Sequence, residues 1–134
     1  MKKLLIVISA LSLNGCALYD AYFMAKFDTN EYALINSVKT KSYVAQAECN
    51  DRAKTLINVN ELYVKTYEFR NFTYHIPHNE DATKMSEKLL KLSMDTKDYY
   101  AKNEKVSEFF CKAKYQQIFK SADEIQSVLG RKPR

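Results

Sequence analysis

Between Cys16 and Leu129 the chain has no glycine and a single proline, Pro77; Gly15, Gly130 and Pro133 lie outside that stretch. Tight hairpins need residues that accept positive φ, and glycine is the main one. A chain without it is poorly suited to turning strand after strand, which argues against an all-β domain. The intervening residues are rich in Ala, Glu, Lys, Leu, Met and Gln, all good helix formers. The predicted fold class is all-α.

Helix boundaries follow from local chemistry. Asp28-Thr29-Asn30-Glu31 reads as a capping box, Asp28 accepting from the backbone and Glu31 reaching back to the cap. Ile35, Val38, Ser42, Ala45 and Cys49 then recur every three or four residues, which is one helix face, and the stripe goes on through Ala53, Leu56, Val59 and Tyr63. Asn50-Asp51 either caps a new helix or sits on the outside of a continuous one. His75-Ile76-Pro77-His78-Asn79 is the clear break, because proline disfavours helix in the residue before it and donates no hydrogen bond. Asn79 with Glu80 and Asp81 then suits a helix start, with acid in the first turn. Met85, Leu89, Leu92, Tyr99, Val106 and Phe110 follow, with a weak point near Asn103. Cys111, Tyr115, Ile118, Ala122, Ile125 and Leu129 keep three-four spacing up to Gly130, read as the helix stop.

Two layouts fit. Two long helices folding back at Pro77 would each reach about 65 Å at 1.5 Å per residue. Breaks near Asn50 and Asn103 instead give a bundle of about four helices with short loops. A lone helix pair buries little for a chain of this size, which favours the bundle.

The first residues carry an address rather than a fold. Lys2 and Lys3 precede an apolar run from Leu4 to Leu13, closed by Asn14, Gly15 and Cys16. A basic start, about ten apolar residues and a small residue before a cut mark a secretory signal. The run is too short for a spanning helix, which takes roughly 20 apolar residues. Leu13-Asn14-Gly15-Cys16 resembles the signal of bacterial lipoproteins, with Asn14 departing from the small residue usual there. The resemblance implies cleavage after residue 15, a fatty-acylated Cys16, and, with Ala17 and Leu18 rather than an acid following, an outer-membrane anchor facing the periplasm. It divides the chain into a cleaved signal (1–15), a tether (16–27), a helical domain (28–130) and a basic tail (131–134). Tyr19, Tyr22, Phe23 and Phe27 in the tether suit a membrane interface, or equally the base of the helical core.

If Cys16 carries lipid, Cys49 and Cys111 remain as a pair in an oxidising compartment. One disulfide is then expected, closing a loop of about 60 residues worth roughly 4 kcal/mol in the chain-entropy model. Two free buried thiols are the alternative. Both cysteines lie on inward faces in either layout, so the pairing does not choose between them. Without Lys2 and Lys3 the basic count falls from 21 to 19 against 16 acidic residues, a mild net charge of about +3. No basic stripe points to nucleic acid.

Catalytic sets are missing. Nucleophile elbows and phosphate-cradling loops both need glycine, and the acids fall singly on helix surfaces. No cofactor or small-molecule substrate is indicated. His75 and His78 with Glu80 and Asp81 are the nearest approach to a metal site, but a proline separates the histidines and no third ligand is fixed, so no metal is assigned. The best candidate binding patch is the aromatic run from Tyr63 to Tyr74. Within it Tyr67, Phe69, Arg70, Phe72 and Tyr74 combine residue types typical of interface anchors; the bland reading is plain core. The basic tail from Arg131 to Arg134 would touch anionic lipid or be disordered. The expected role is a membrane-anchored, non-catalytic module binding another envelope protein, or a structural lipoprotein contacting lipid or cell wall.

Overall fold

The computed structural model describes residues 24–134, so the signal segment, Cys16 and most of the tether lie outside the described residues. Four helices follow one another: α1 (Thr29–Ala45), extended by a 3-10 turn (Gln46–Glu48), α2 (Arg52–Tyr74), α3 (Glu80–Lys102) and α4 (Glu108–Leu129). Each packs on its sequence neighbours and α4 closes on α1. The described residues form a four-helix bundle, and the long hairpin is not formed. Asp51 settles the break after Asn50: its side chain accepts from the Lys54 backbone N–H and starts α2. Ser107 does the same for α4 through the Phe110 N–H.

The core follows a strict four-three spacing. Its inward positions are Glu31, Ile35, Val38, Ser42, Ala45 and Cys49 in the first helix and the turn after it. They are Thr55, Val59, Leu62, Thr66, Phe69 and Thr73 in α2, and Ala82, Ser86, Leu89, Ser93, Thr96 and Tyr100 in α3. In α4 they are Cys111, Tyr115, Ile118, Ala122, Ile125 and Leu129. Run antiparallel, these stripes stack into six layers of four. Glu31, Thr73, Ala82 and Leu129 form the first; Ile35, Phe69, Ser86 and Ile125 the second; Val38, Thr66, Leu89 and Ala122 the third. Ser42, Leu62, Ser93 and Ile118 form the fourth; Ala45, Val59, Thr96 and Tyr115 the fifth; Cys49, Thr55, Tyr100 and Cys111 the sixth. The cross-helix pairs Lys39–Asp123, Lys41–Glu61 and Arg70–Glu87 hold this register on the surface.

Every layer mixes large and small side chains, as a close-packed interior requires. Many of the small ones are hydroxyls, which cost free energy to bury unless bonded. Ser42, Thr66, Ser86 and Thr96 turn their hydroxyls back onto carbonyls of their own helices, at 2.7–2.9 Å. This corrects the expected stripe of α3. Of Met85, Leu89 and Leu92 only Leu89 is central, and Met85 and Leu92 flank the core. In α2 the central line runs through Thr55, Val59 and Leu62, leaving Ala53 on the surface.

The two ends are closed differently. At one, Cys49 and Cys111 form the expected disulfide, with Cα atoms 5.7 Å apart. Beside it Arg52 donates to the carbonyls of Tyr100 and Asn103, capping the end of α3. Burial holds the Tyr100 and Tyr115 phenols above their ordinary pKa, and Tyr115 donates to the Thr55 carbonyl at 3.2 Å. At the other end Asp28 caps α1 as expected, accepting from the N–H groups of Asn30 and Glu31.

Glu31, however, does not complete the capping box. It is fully buried and accepts 2.6 Å bonds from Asn79 and Lys132, while Lys132 also donates to Asn79. Asn79 therefore ties three segments together rather than capping α3 with its side chain. The tail is drawn in with it. Phe27 N–H donates to the Pro133 carbonyl, and the Arg134 guanidinium lies over the Phe27 ring. Ala25 N–H donates to the carbonyl of His78, whose φ of 60° turns the chain into α3.

Removing one partner of a buried ion pair typically costs about 3–5 kcal/mol, because the other charge stays buried and unpaired. Lys132→Met is expected to lose stability of that order in urea unfolding. Glu31→Leu combined with Lys132→Met should lose clearly less; equal losses would mean that the charge pair is not what closes this end.

Candidate partner-binding surface

Residues one step beyond the α2 core stripe fall on one flank of the helix, turned toward α3. Tyr63, Tyr67, Arg70 and Tyr74 repeat the four-three-four spacing there. Tyr67 is 52% exposed and Tyr74 56%. The Arg70 guanidinium lies 4.7 Å from the Tyr74 ring centre and reaches Glu87 on α3 at 3.2 Å. Lys97, also on α3, places its ammonium 4.4 Å over Tyr63, whose ring neighbours Tyr67 at 6.4 Å. The result is a ladder of three tyrosines braced by two cations. Stacking restricts these side chains, so a contact made on this flank would lose less ordering entropy.

The structure thus divides the five residues singled out in the aromatic run. Tyr67, Arg70 and Tyr74 stand together on the flank. Phe69 does not join them: at 0% exposure it fills the second core layer, because the helix turns it inward between Thr66 and Thr73. That is a correction, and it removes Phe69 from any docking surface. Phe72 is half-buried on the opposite flank, where with Leu34 and Ile76 it lines a shallow recess between α1 and the end of α2. Tyr63 belongs to the ladder and was readable from its four-residue spacing to Tyr67. Glu87 and Lys97 carried no such signal, since only the α2–α3 register brings them there. Phe109, next to Phe110 and Cys111 in sequence, is at 83% the most exposed large apolar side chain among the described residues.

His75 and His78 lie on either side of Pro77 in the segment between α2 and α3. His75 ends α2 with its ring edge-on to Tyr74, 5.3 Å between centres. Among the described residues no three of His, Cys, Asp and Glu converge as metal ligands. Among those residues, too, no helix is long and apolar enough to cross a membrane. Of the tail, Lys132 is turned inward, while Arg131 and Arg134 stay exposed, Arg134 with its guanidinium over the Phe27 ring. Comparison of the chain with protein-family models, with curated proteins and with solved structures returned no match.

Core and flank are separable by mutation. Phe69→Ala is expected to cost about 3–5 kcal/mol in chemical denaturation, through lost burial and the cavity left behind. Tyr67→Ala and Tyr74→Ala should each stay within about 1 kcal/mol of the parent chain, as exposed substitutions do. Similar losses at all three positions would show that the flank is part of the core.

Proposed function

We propose that this chain is a lipid-anchored outer-membrane lipoprotein of the periplasm whose helical bundle binds another envelope protein and performs no chemistry. The observation that carries the binding role is the Tyr63–Tyr67–Arg70–Tyr74 ladder, a line of half-exposed rings and stacked cations on the side of a rigid bundle. Tyrosine and arginine supply most anchor energy in protein interfaces, since each offers a large, stiff contact area with a polar end. The anchoring half rests on the lipoprotein-like signal ending at Cys16. Two or more acyl chains make such an anchor stable where one is reversible. An exclusion or receptor-blocking factor, or an assembly accessory, is a role that suits a tethered module of this kind. The alternative is a structural lipoprotein whose basic tail and helices contact lipid or cell wall; Lys132 is turned inward, while Arg131 and Arg134 remain exposed for such a contact.

Both halves can be tested in cells making the full chain. Labelled palmitate should enter the parent chain and not Cys16→Ser. A photoreactive residue in place of Tyr67 or Tyr74 should give one discrete cross-linked protein, lost with Arg70→Glu, while the same probe at Lys112 on α4 should not. An identical product from Lys112, or none from either tyrosine position, would remove the ladder as the binding surface.

A further inference from the structure

We infer that the envelope partner meets this bundle with an α-helix of its own, laid lengthwise along α2. The inference rests on the binding role proposed above and adds the shape and charge of what binds. On the side of α2 away from the core, Ile57, Asn60, Val64, Tyr67, Asn71 and Tyr74 are all exposed. Ile57, Val64 and Asn71 stand seven residues apart, and so do the Asn60–Tyr67 and Tyr67–Tyr74 steps. Two positions in every seven is the spacing of a coiled-coil seam, here turned away from the bundle's own core.

None of the six is charged. Ile57 at 57% exposure and Val64 at 51% add two large apolar side chains to the tyrosines of the ladder. In the same bundle α3 shows what a solvated face looks like. On its side away from the core, Lys84, Glu87, Lys91, Asp95, Asp98 and Lys102 are exposed, and every one is charged. Depletion of charge together with aromatic side chains is the compositional mark of an interface centre.

The shape of this line selects its occupant. From Ile57 to Tyr74 it runs about 26 Å, at 1.5 Å per helical residue, and it is narrow. A second helix covers such a line from end to end, its side chains seated between those of α2. Asn60 and Asn71 interrupt the apolar positions. A buried amide needs a polar side chain opposite, so these two fix the register of what lies on them.

Charge narrows the partner further. Toward α3 the line is continuous with Tyr63 and Arg70 of the ladder. Toward α1 it is edged by Glu61, which pairs with Lys41, and by the exposed Glu68. The helix that fits has an apolar seam, an amide or hydroxyl opposite the two asparagines, and Lys or Arg on the edge that meets Glu68. Two antiparallel copies of this chain would set the acidic edge against itself, so charge favours a different chain.

The experiment uses cells making the full chain with p-benzoylphenylalanine in place of Ile57, Val64, Tyr67 or Tyr74, one at a time, and of Lys91 on α3 as the control. Attachment points are mapped by mass spectrometry. All four α2 probes should capture the same protein and the Lys91 probe should not. Moving the probe from Ile57 to Val64, or from Tyr67 to Tyr74, carries it about 10 Å along α2. In a partner helix the attachment point then shifts by about seven residues, against about three in a strand at roughly 3.3 Å per residue. Val64→Glu should lower the Tyr67 product at least ten-fold with helix content unchanged. A shift of about three residues, attachment in no order, silence at Ile57 and Val64, or full yield in Val64→Glu would overturn the helix and leave the ladder as the binding surface. Attachment only to a second copy would overturn the inference as well. No product from either tyrosine would instead remove the binding role itself, and this inference with it.

Discussion

An unbroken four-three spacing of inward positions, held through all four helices, is the constraint on which this bundle depends. Each stripe spans six positions, and the antiparallel packing sets them in register as six layers. Because side chains at these positions are often Ser, Thr or Ala, the layers close only if each small residue faces a large one from another helix. Phe69 opposite Ser86, and Leu62 with Ser42 and Ser93, are such pairings. A slip by one turn would set large beside large and open voids elsewhere, and interiors tolerate neither.

The ends are fixed by two unlike bonds. A disulfide joins the turn after α1 to the first turn of α4. Opposite it, a buried carboxylate, amide and ammonium bind the start of α1, the Pro77 loop and the tail. The first works through the unfolded chain, restricting a separation of 62 residues. The second works through the folded one, because each charge is tolerable only while the other is present. Between these clamps the flanks are free to carry function, and the α2 flank carries the tyrosine ladder. A recognition surface placed there gains from the stiffness of the core one residue away.

Much of this was legible in the residues alone. Missing glycine gave the helical class, Pro77 the central turn, and the stripes ending at Cys49 and beginning at Cys111 brought the disulfide partners to one end. What stayed hidden has two causes: side chains whose partners are far off in sequence, and buried hydroxyls that bond back onto their own helix. Glu31 sits where a capping box would want it, and only Lys132, 101 residues away, turns it inward. Ser86, Ser93 and Thr96 look like a solvated face until the hydroxyls of Ser86 and Thr96 are seen bonded to their own helix. Phe69 and Tyr67 belong to one aromatic run, yet a two-residue step on a helix separates core from surface. Arg70 and Tyr74 were found in sequence; the α3 residues that complete their ladder needed the register.

The layered register is best tested by nuclear Overhauser spectroscopy on the oxidised protein. The account expects contacts from the Phe69 ring to the methyls of Ile35 and Ile125, and from Leu62 to Ile118, each within one layer. Strong contacts from Phe69 to Ile118 instead, with Ile35 and Ile125 silent, would place the helices in a different register and contradict it.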